Sequence, residues 1–189
     1  MDQQLHGHTF DVDCVALRCN GQVASGDEGG SIVVHSTRSS KVEYQADNTF
    51  AGGVLGLCYL SNGSLVACGY DDNGLKVFSP SLELVQTLVG HNGPVRCVTV
   101  SPSGSHFASG GWDKKVMIWS EPGEGGEWAR VQVLEDHTNE IEAVCFSPDG
   151  KQLATGGKDK SINLYSFNEG NAILSHTLEG HTHYVESLS

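Results

Sequence analysis

The chain has 189 residues, with 11 Lys plus Arg against 23 Asp plus Glu, a formal charge of −12. That excess of acid argues against binding nucleic acid or an anionic membrane through bulk charge, since both need a basic face. Hydrophobic residues at 38% and charged residues at 18% exclude a disordered chain, and no apolar run reaches the roughly 18 residues of a membrane span.

The acid is spread: residues 1–90 carry 4 basic and 10 acidic side chains, and residues 91–189 carry 7 and 13. Such a surface favours solubility over a localised acidic tail. Met1 to His6 has neither a basic start nor an apolar core, so no secretory leader is expected. Cys14, Cys19, Cys58, Cys68, Cys97 and Cys145 contain no C-x-x-C pair and lie mostly in apolar runs. They read as small hydrophobes in a reduced, intracellular protein, cytoplasmic or nuclear.

Along the chain one unit recurs. It opens at Gly7-His8, in degenerate form at Phe50, then at His91, His137 and His181, successive positions 42, 41, 46 and 44 apart. The units span about 5–45, 46–88, 89–134 and 135–178, with the start of a fifth at 179–189. Each complete unit predicts four short strands. An apolar run such as Val95 to Val100 comes first, with the little alternation expected of a strand covered on both faces. A turn follows at Asn20-Gly21, Asn62-Gly63, Ser101–Gly104 or Ser147–Gly150. The second strands are Val23–Ser25, Leu65–Ala67, Phe107–Ser109 and Leu153–Thr155. The third are Ile32–His35, Leu75–Phe78, Val116–Trp119 and Ile162–Tyr165. A polar fourth strand, as in Leu84–Leu88, closes the unit, and no helical period is sustained anywhere.

The Gly-His dipeptides at 7–8, 90–91 and 180–181, the turn aspartates Asp72, Asp113 and Asp159, and the strand-end residues Phe78, Trp119 and Tyr165 resemble the WD-repeat β-propellers. Trp112-Asp113 imitates the dipeptide that names the family but sits in another turn; the matching place is Trp119-Ser120, and Ser36, Ser79 and Ser166 repeat that serine. The resemblance implies an all-β propeller of four-stranded antiparallel blades, incomplete at about four blades plus the start of a fifth. A ring of about seven such blades would need roughly 300 residues. The expectation is therefore a partial ring, whose open blade edges would drive association.

The resemblance also implies a structural network in each blade, made by a His, a Ser or Thr, an Asp and a Trp. Carried over, it comprises His91, Ser109, Asp113 and Trp119 in unit three, and His137, Thr155, Asp159 and Tyr165 in unit four. A catalytic triad is an unsuitable reading, because a nucleophile site does not recur in every blade. Tyr165 lacks an indole N–H, so unit four is expected to hold a weaker network. Unit one has His8 and Ser25, but Gly29 at the Asp place and His35 at the Trp place. Unit two has Asp72, with Phe50 for His and Cys68 for Ser. Both units are expected to rely on apolar packing, and an aspartate placed at 29 is expected to be tolerated or mildly stabilising.

No histidine or cysteine pair has a metal-ligand spacing beside a second pair, so no metal or cofactor is expected. Gly26–Gly30 lacks the lysine and helix of a phosphate loop, and Pro122–Glu127 reads as a solvated acidic loop. The function implied is a non-enzymatic scaffold binding proteins through a propeller face. A propeller enzyme is the less fitting alternative. A substrate receptor of a ubiquitin ligase is another, yet only Arg38 stands at the basic place that such a receptor needs. The face implied gathers Asp11, Asp13 and Glu28; Gly53, Leu55 and Asp71; Pro94, Arg96 and Trp112; Glu140, Glu142 and Lys158; and Tyr184 and Glu186. Trp112 either exposes its indole beside Arg96 or merely covers the neighbouring turn, and the surrounding acid favours a basic partner segment.

Overall fold

Runs of β-branched and aliphatic residues broken by Gly, Asn and Ser-Pro leave no stretch for a helix, and the computed structural model is built of strands. It describes residues 4–70, 73–121 and 126–189. The first sheet is β1 (Val12–Arg18), β2 (Gln22–Asp27), β3 (Ile32–Ser36) and β4 (Val42–Ala46). The second is β5 (Val54–Tyr59), β6 (Leu65–Gly69), β7 (Gly74–Phe78) and β8 (Leu84–Val89). The third is β9 (Val95–Val100), β10 (His106–Gly111), β11 (Val116–Ser120) and β12 (Ala129–Leu134). The fourth is β13 (Ile141–Phe146), β14 (Gln152–Gly157), β15 (Ile162–Asn168) and β16 (Asn171–Leu178). Each sheet pairs its strands in chain order, antiparallel throughout, and is one propeller blade.

The first strands β1, β5, β9 and β13 lie side by side and line the inside of an arc. The arc is open among the described residues. At its free end β1 turns Val12, Val15 and Leu17 outward, with Leu17 75% exposed. At the other end residues 179–189 form no strand, but the Val185 N–H donates to the Gly157 carbonyl at 3.1 Å. Val185 thereby lies over Gly156 as Val54 lies over Gly26 and Ile141 over Gly110.

A blade alone has too little apolar area to bury a core, so the cores form between blades. One cluster joins Ala24, Ile32 and Val34 of the first blade to Phe50, Val54 and Leu65 of the second. The next joins Val66, Leu75 and Val77 to Phe107, Met117 and Trp119. The last joins Ala108, Val116 and Ile118 to Ile141, Leu153 and Tyr165. Alternate residues of β11 therefore serve opposite neighbours, which is why a period-two strand is apolar on both faces. Outer strands are also tied. The Gln86 side-chain amide exchanges two hydrogen bonds with the Trp128 backbone, at 2.9 and 2.9 Å. Gln132 repeats the clamp on Ala172 at 2.8 and 2.7 Å.

One cross-strand pair shows how closely the blades approach. Cys14 faces Gly26 in the first blade and Cys97 faces Gly110 in the third. A Cβ on Gly26 would lie 2.9 Å from the Cys14 sulfur and 2.6 Å from Val54; one on Gly110 would lie 2.8 Å from the Cys97 sulfur and 2.6 Å from Ile141. The second blade reverses the pair, with Gly56 on β5 facing Cys68 on β6. One thiol fills the space either way. The pairing also corrects the expected role of Cys68. Ala67, not Cys68, pairs with Lys76 in the register where Ser109 pairs with Met117.

Burial pushes the Cys14, Cys58 and Cys97 thiols up to about 12 and raises Cys68 as well. Native alkylation at neutral pH is thus expected to modify exposed Cys19 first and to spare these four until the chain unfolds, as peptide mass mapping would show. A second expectation concerns the pair itself. Gly110→Cys alone should destabilise by about 1–3 kcal/mol through overpacking. Adding Cys97→Gly should restore much of that loss, because the second blade is built that way; strictly additive melting shifts would refute the complementarity.

Candidate functional site

In the first, third and fourth blades the first strand is preceded by a histidine that carries the blade's buried hydrogen-bond chain. In the third blade Trp119 Nε1–H donates to Ser109 Oγ at 2.9 Å, and His91 Nε2 lies 2.9 Å from the same oxygen. His91 Nδ1 lies 2.9 Å from Asp113 Oδ1. The indole can only donate, so the serine hydroxyl donates to Nε2 and the Nδ1–H is left for the carboxylate. Asp113 also accepts backbone N–H groups of Asn92 at 3.0 Å and Lys115 at 3.2 Å, which pins the turn between β10 and β11. Burial alone would raise the Asp113 carboxyl, but the hydrogen bonds from His91 and Asn92 outweigh it and hold it below the usual value.

The fourth blade places His137 between Thr155 at 2.7 Å and Asp159 at 2.8 Å. Burial raises and the His137, Thr138 and Ser161 hydrogen bonds lower the Asp159 carboxyl, with a net fall. Tyr165 has its own acceptor, which sequence reasoning missed: its hydroxyl donates to Asp136 Oδ2 at 3.1 Å. Asp136 stands where the third blade has Gly90. A Cβ on Gly90 would lie 2.9 Å from the Met117 sulfur, 3.1 Å from Arg130 Nη1 and 3.3 Å from Trp119, so the third blade is crowded at the place where the fourth carries Asp136.

The first blade departs from expectation. His8 is not without a carboxylate: Nδ1 lies 2.6 Å from Asp27 Oδ2 and Nε2 lies 2.7 Å from Ser25 Oγ. Asp27 ends β2 in the register of Gly111, and a Cβ at Gly111 points at His91 Nδ1. The order Gly-x-Asp at 111–113 is thus transposed to Asp-x-Gly at 27–29. Gly29 faces the Phe10 ring, which a Cβ would strike, so Gly29→Asp is expected to displace Phe10 without serving His8. His35, at the Trp place, reaches the His6 carbonyl with Nε2 at 2.8 Å. In the second blade Phe50 replaces the imidazole, and the Lys76 ammonium lies 4.4 Å from its ring centroid. Asp72 lies outside the described residues.

The candidate interaction face is built by one backbone device repeated in every blade. The register slips at the second residue of each first strand: Asp13, Leu55, Arg96 and Glu142 are bulged. A bulge re-aims its side chain out of the ladder. Just beside it, backbone N–H groups of Glu28, Tyr70, Trp112 and Lys158 donate to carbonyls of Asp11, Gly53, Pro94 and Glu140 at 3.0, 3.2, 2.9 and 2.8 Å. These bonds set the true equivalence. Tyr70, not Asp71, shares the place of Trp112; with Phe78 and Trp119 paired in the same register, Tyr70 stands one position farther from Phe78 than Trp112 does from Trp119, so counting back from Phe78 lands one residue late. The same slip misassigned Cys68. Asp71 lies outside the described residues, as do Pro122 to Gly125.

The bulged side chains touch across blades. Arg96 Nη1 donates to the Leu55 carbonyl at 3.1 Å, and Nε donates to Glu142 Oε2 at 3.2 Å. Lys158 pairs with Glu140, and with Glu142 Oε1 at 3.4 Å. Its ammonium lies 4.8 Å from the Trp112 ring centroid and 5.9 Å from that of Tyr184. Tyr70 meets Trp112 edge-on at 5.1 Å. Trp112 is therefore half-buried between Tyr70 and Lys158, a correction to the exposed indole beside Arg96, and its Nε1–H is buried with no acceptor among the described residues. Asp11, Asp13 and Glu28 stay exposed on the first blade.

Residues 2–36, 45–79, 82–120 and 128–166 match the WD domain, G-beta repeat family, and the chain belongs to that family. The chain is 40% identical over 91 residues to the Ribosome biogenesis protein WDR12 homolog of Chlamydomonas reinhardtii, over 42% of this chain and 20% of that protein. It is 32% identical over 118 residues to WD repeat, SAM and U-box domain-containing protein 1 of Danio rerio, over 61% of this chain and 24% of that protein. It is 33% identical over 78 residues to the Guanine nucleotide-binding protein G(I)/G(S)/G(T) subunit beta-1 of Homarus americanus, over 41% of this chain and 23% of that protein. In each case the match spans a quarter or less of the relative.

Asp113→Ala strands a buried imidazole N–H and is expected to cost about 1–3 kcal/mol in unfolding experiments. Asp27→Ala should act the same way in the first blade, whereas a blade held by apolar packing alone would lose less. Because Asp113 and Asp159 are held below the ordinary carboxyl value of about 3.9, their contribution is full above that value and is lost as pH falls through the depressed one. Melting temperature should thus drop in acid, and less steeply for Asp113→Ala; identical slopes would count against the linkage.

Proposed function

We propose that the chain is a non-enzymatic scaffold that holds a basic segment of a protein partner on the face where the bulged residues emerge. The observation that supports this most is the unbroken line of contacts from Tyr70 through Trp112, Lys158, Glu142 and Arg96 to Leu55, which crosses three blades on one side. Such a surface is fixed before a partner arrives, so little side-chain freedom is lost on docking. Asp11, Asp13 and Glu28 extend it with exposed acid on the first blade, and Glu186 adds exposed acid beyond the fourth. Charge of that sign steers a basic segment and makes capture salt-dependent. Six free thiols agree with a reduced intracellular setting, cytoplasmic or nuclear.

A pull-down with mass spectrometry supplies the partner. Trp112→Ala is then expected to weaken binding by about 1–3 kcal/mol, and Glu28→Gln to slow association and flatten its salt dependence without changing stability. Arg96→Ala should weaken binding too, with a stability cost of up to about 1 kcal/mol because the side chain ties two neighbours. Unchanged affinity in all three would move the interaction to another face.

A further inference from the structure

Lys158 does not run out to solvent as most lysines do. Its ammonium stands against Trp112 and Tyr184 and pairs with Glu140 and Glu142, while its side chain keeps 27% of its exposure. The equivalent positions hold Glu28, Tyr70 and Trp112, so the cation is particular to the fourth blade. Aromatic faces beside two carboxylates form a receptor for one positive charge, since ring quadrupole and carboxylate both attract it. The walls come from three neighbouring segments, and three of these walls are held without Lys158. Trp112 is braced by Tyr70, Glu142 is tied to Arg96, and Tyr184 precedes the anchored Val185. Lys158 is joined to this site only by a flexible four-carbon stem, so its ammonium can leave without unfolding the turn.

We propose that Trp112, Tyr184, Glu140 and Glu142 form a binding site for one lysine side chain of the protein partner, and that Lys158 is the tethered occupant it displaces. The inference rests on the docking face proposed above and names the chemistry recognised there. A tethered group competes at an effective concentration of roughly millimolar, so the free site is masked from weak ligands. Hydrogen bonding to Glu140 raises the Lys158 pKa further, which keeps the occupant charged at any pH of use.

The probe is a capped Gly-Gly-Lys-Gly-Gly peptide titrated into the chain and followed by NMR. Lys158→Ala is expected to bind it at least about tenfold more tightly than the unchanged protein. The same peptide with norleucine should show no gain, and Lys158→Ala combined with Trp112→Leu should lose it. Lys160→Gln removes the same charge two residues away and should shift affinity less than about twofold, because a charge change alone at an exposed site is screened. If the alanine variant fails to fold, Lys158→Gln carries the test with the same expected sign. Equal peptide affinity in the variant and the unchanged protein would overturn the site, as would an equal gain from Lys160→Gln. Partner capture that still depends on Trp112 alongside such a result would overturn the lysine site while leaving the docking face in place.

Discussion

A buried imidazole with both ring nitrogens occupied organises three of the four blades, through His8, His91 and His137; His35, whose buried Nδ1 has no partner among the described residues, stands apart from this arrangement. One nitrogen takes a hydroxyl from the second strand; the other takes a carboxylate that also gathers backbone N–H groups of the following turn. His91 links Ser109 to Asp113 and His137 links Thr155 to Asp159, so the segment before the first strand and the turn before the third are locked together. The arrangement fixes where the charge must sit, not which residue must bring it. Asp27 reaches His8 from the end of a strand, while Asp113 reaches His91 from the turn beyond. At the strand end of the fourth blade the Tyr165 hydroxyl likewise finds a carboxylate, Asp136, on the segment before the first strand.

Blades depend on each other for a second reason. Each matched family repeat after the second runs from an outer strand into the first three strands of the next blade, β8 into β9–β11 and β12 into β13–β15. The Gln86 and Gln132 clamps sit on those outer strands and bind the following blade. Apolar clusters fall at the same seams. Stability is therefore carried between neighbours, as in other repeat proteins. The Cys–Gly pairs mark a close approach, in which the thiol comes from the first strand in one blade and from the second strand in another.

The interaction face follows from that rigidity. A bulge at the same place in four first strands delivers Asp13, Leu55, Arg96 and Glu142 to one side, and the N–H bonds at Glu28, Tyr70, Trp112 and Lys158 hold a second row beside them. Arg96 and Lys158 then share Glu142 across two blades. A bulge and an N–H bond that recur in all four blades thus carry side chains that differ in each, which lets a repeated fold present a surface that is not repeated.

The repeat, the strands and the turns were legible because each is set by short-range pattern: apolar runs, Ser-Pro and Asn-Gly punctuation, and a period near 43 residues. The sequence alone likewise put Arg96 with Glu142 and Trp112 with Lys158, since the members of each pair lie the same distance after their repeat's histidine. Spacing could not resolve the second blade, where one extra residue ahead of Phe78 moved the equivalence from Asp71 to Tyr70 and from Cys68 to Ala67. Nor could it show Asp27 serving His8, because a carboxylate two residues early still reaches the ring when its Cβ points inward. A comparison of Ser-Gly-Asp-Glu-Gly at 25–29 with Ser-Gly-Gly-Trp-Asp at 109–113 holds the signal, as a transposition rather than a match. The contacts of Lys158 with Trp112, Tyr184 and the two glutamates were beyond any linear reading. They join residues of two repeats and the start of a third, and side-chain direction and blade-to-blade packing alone decide which of them meet.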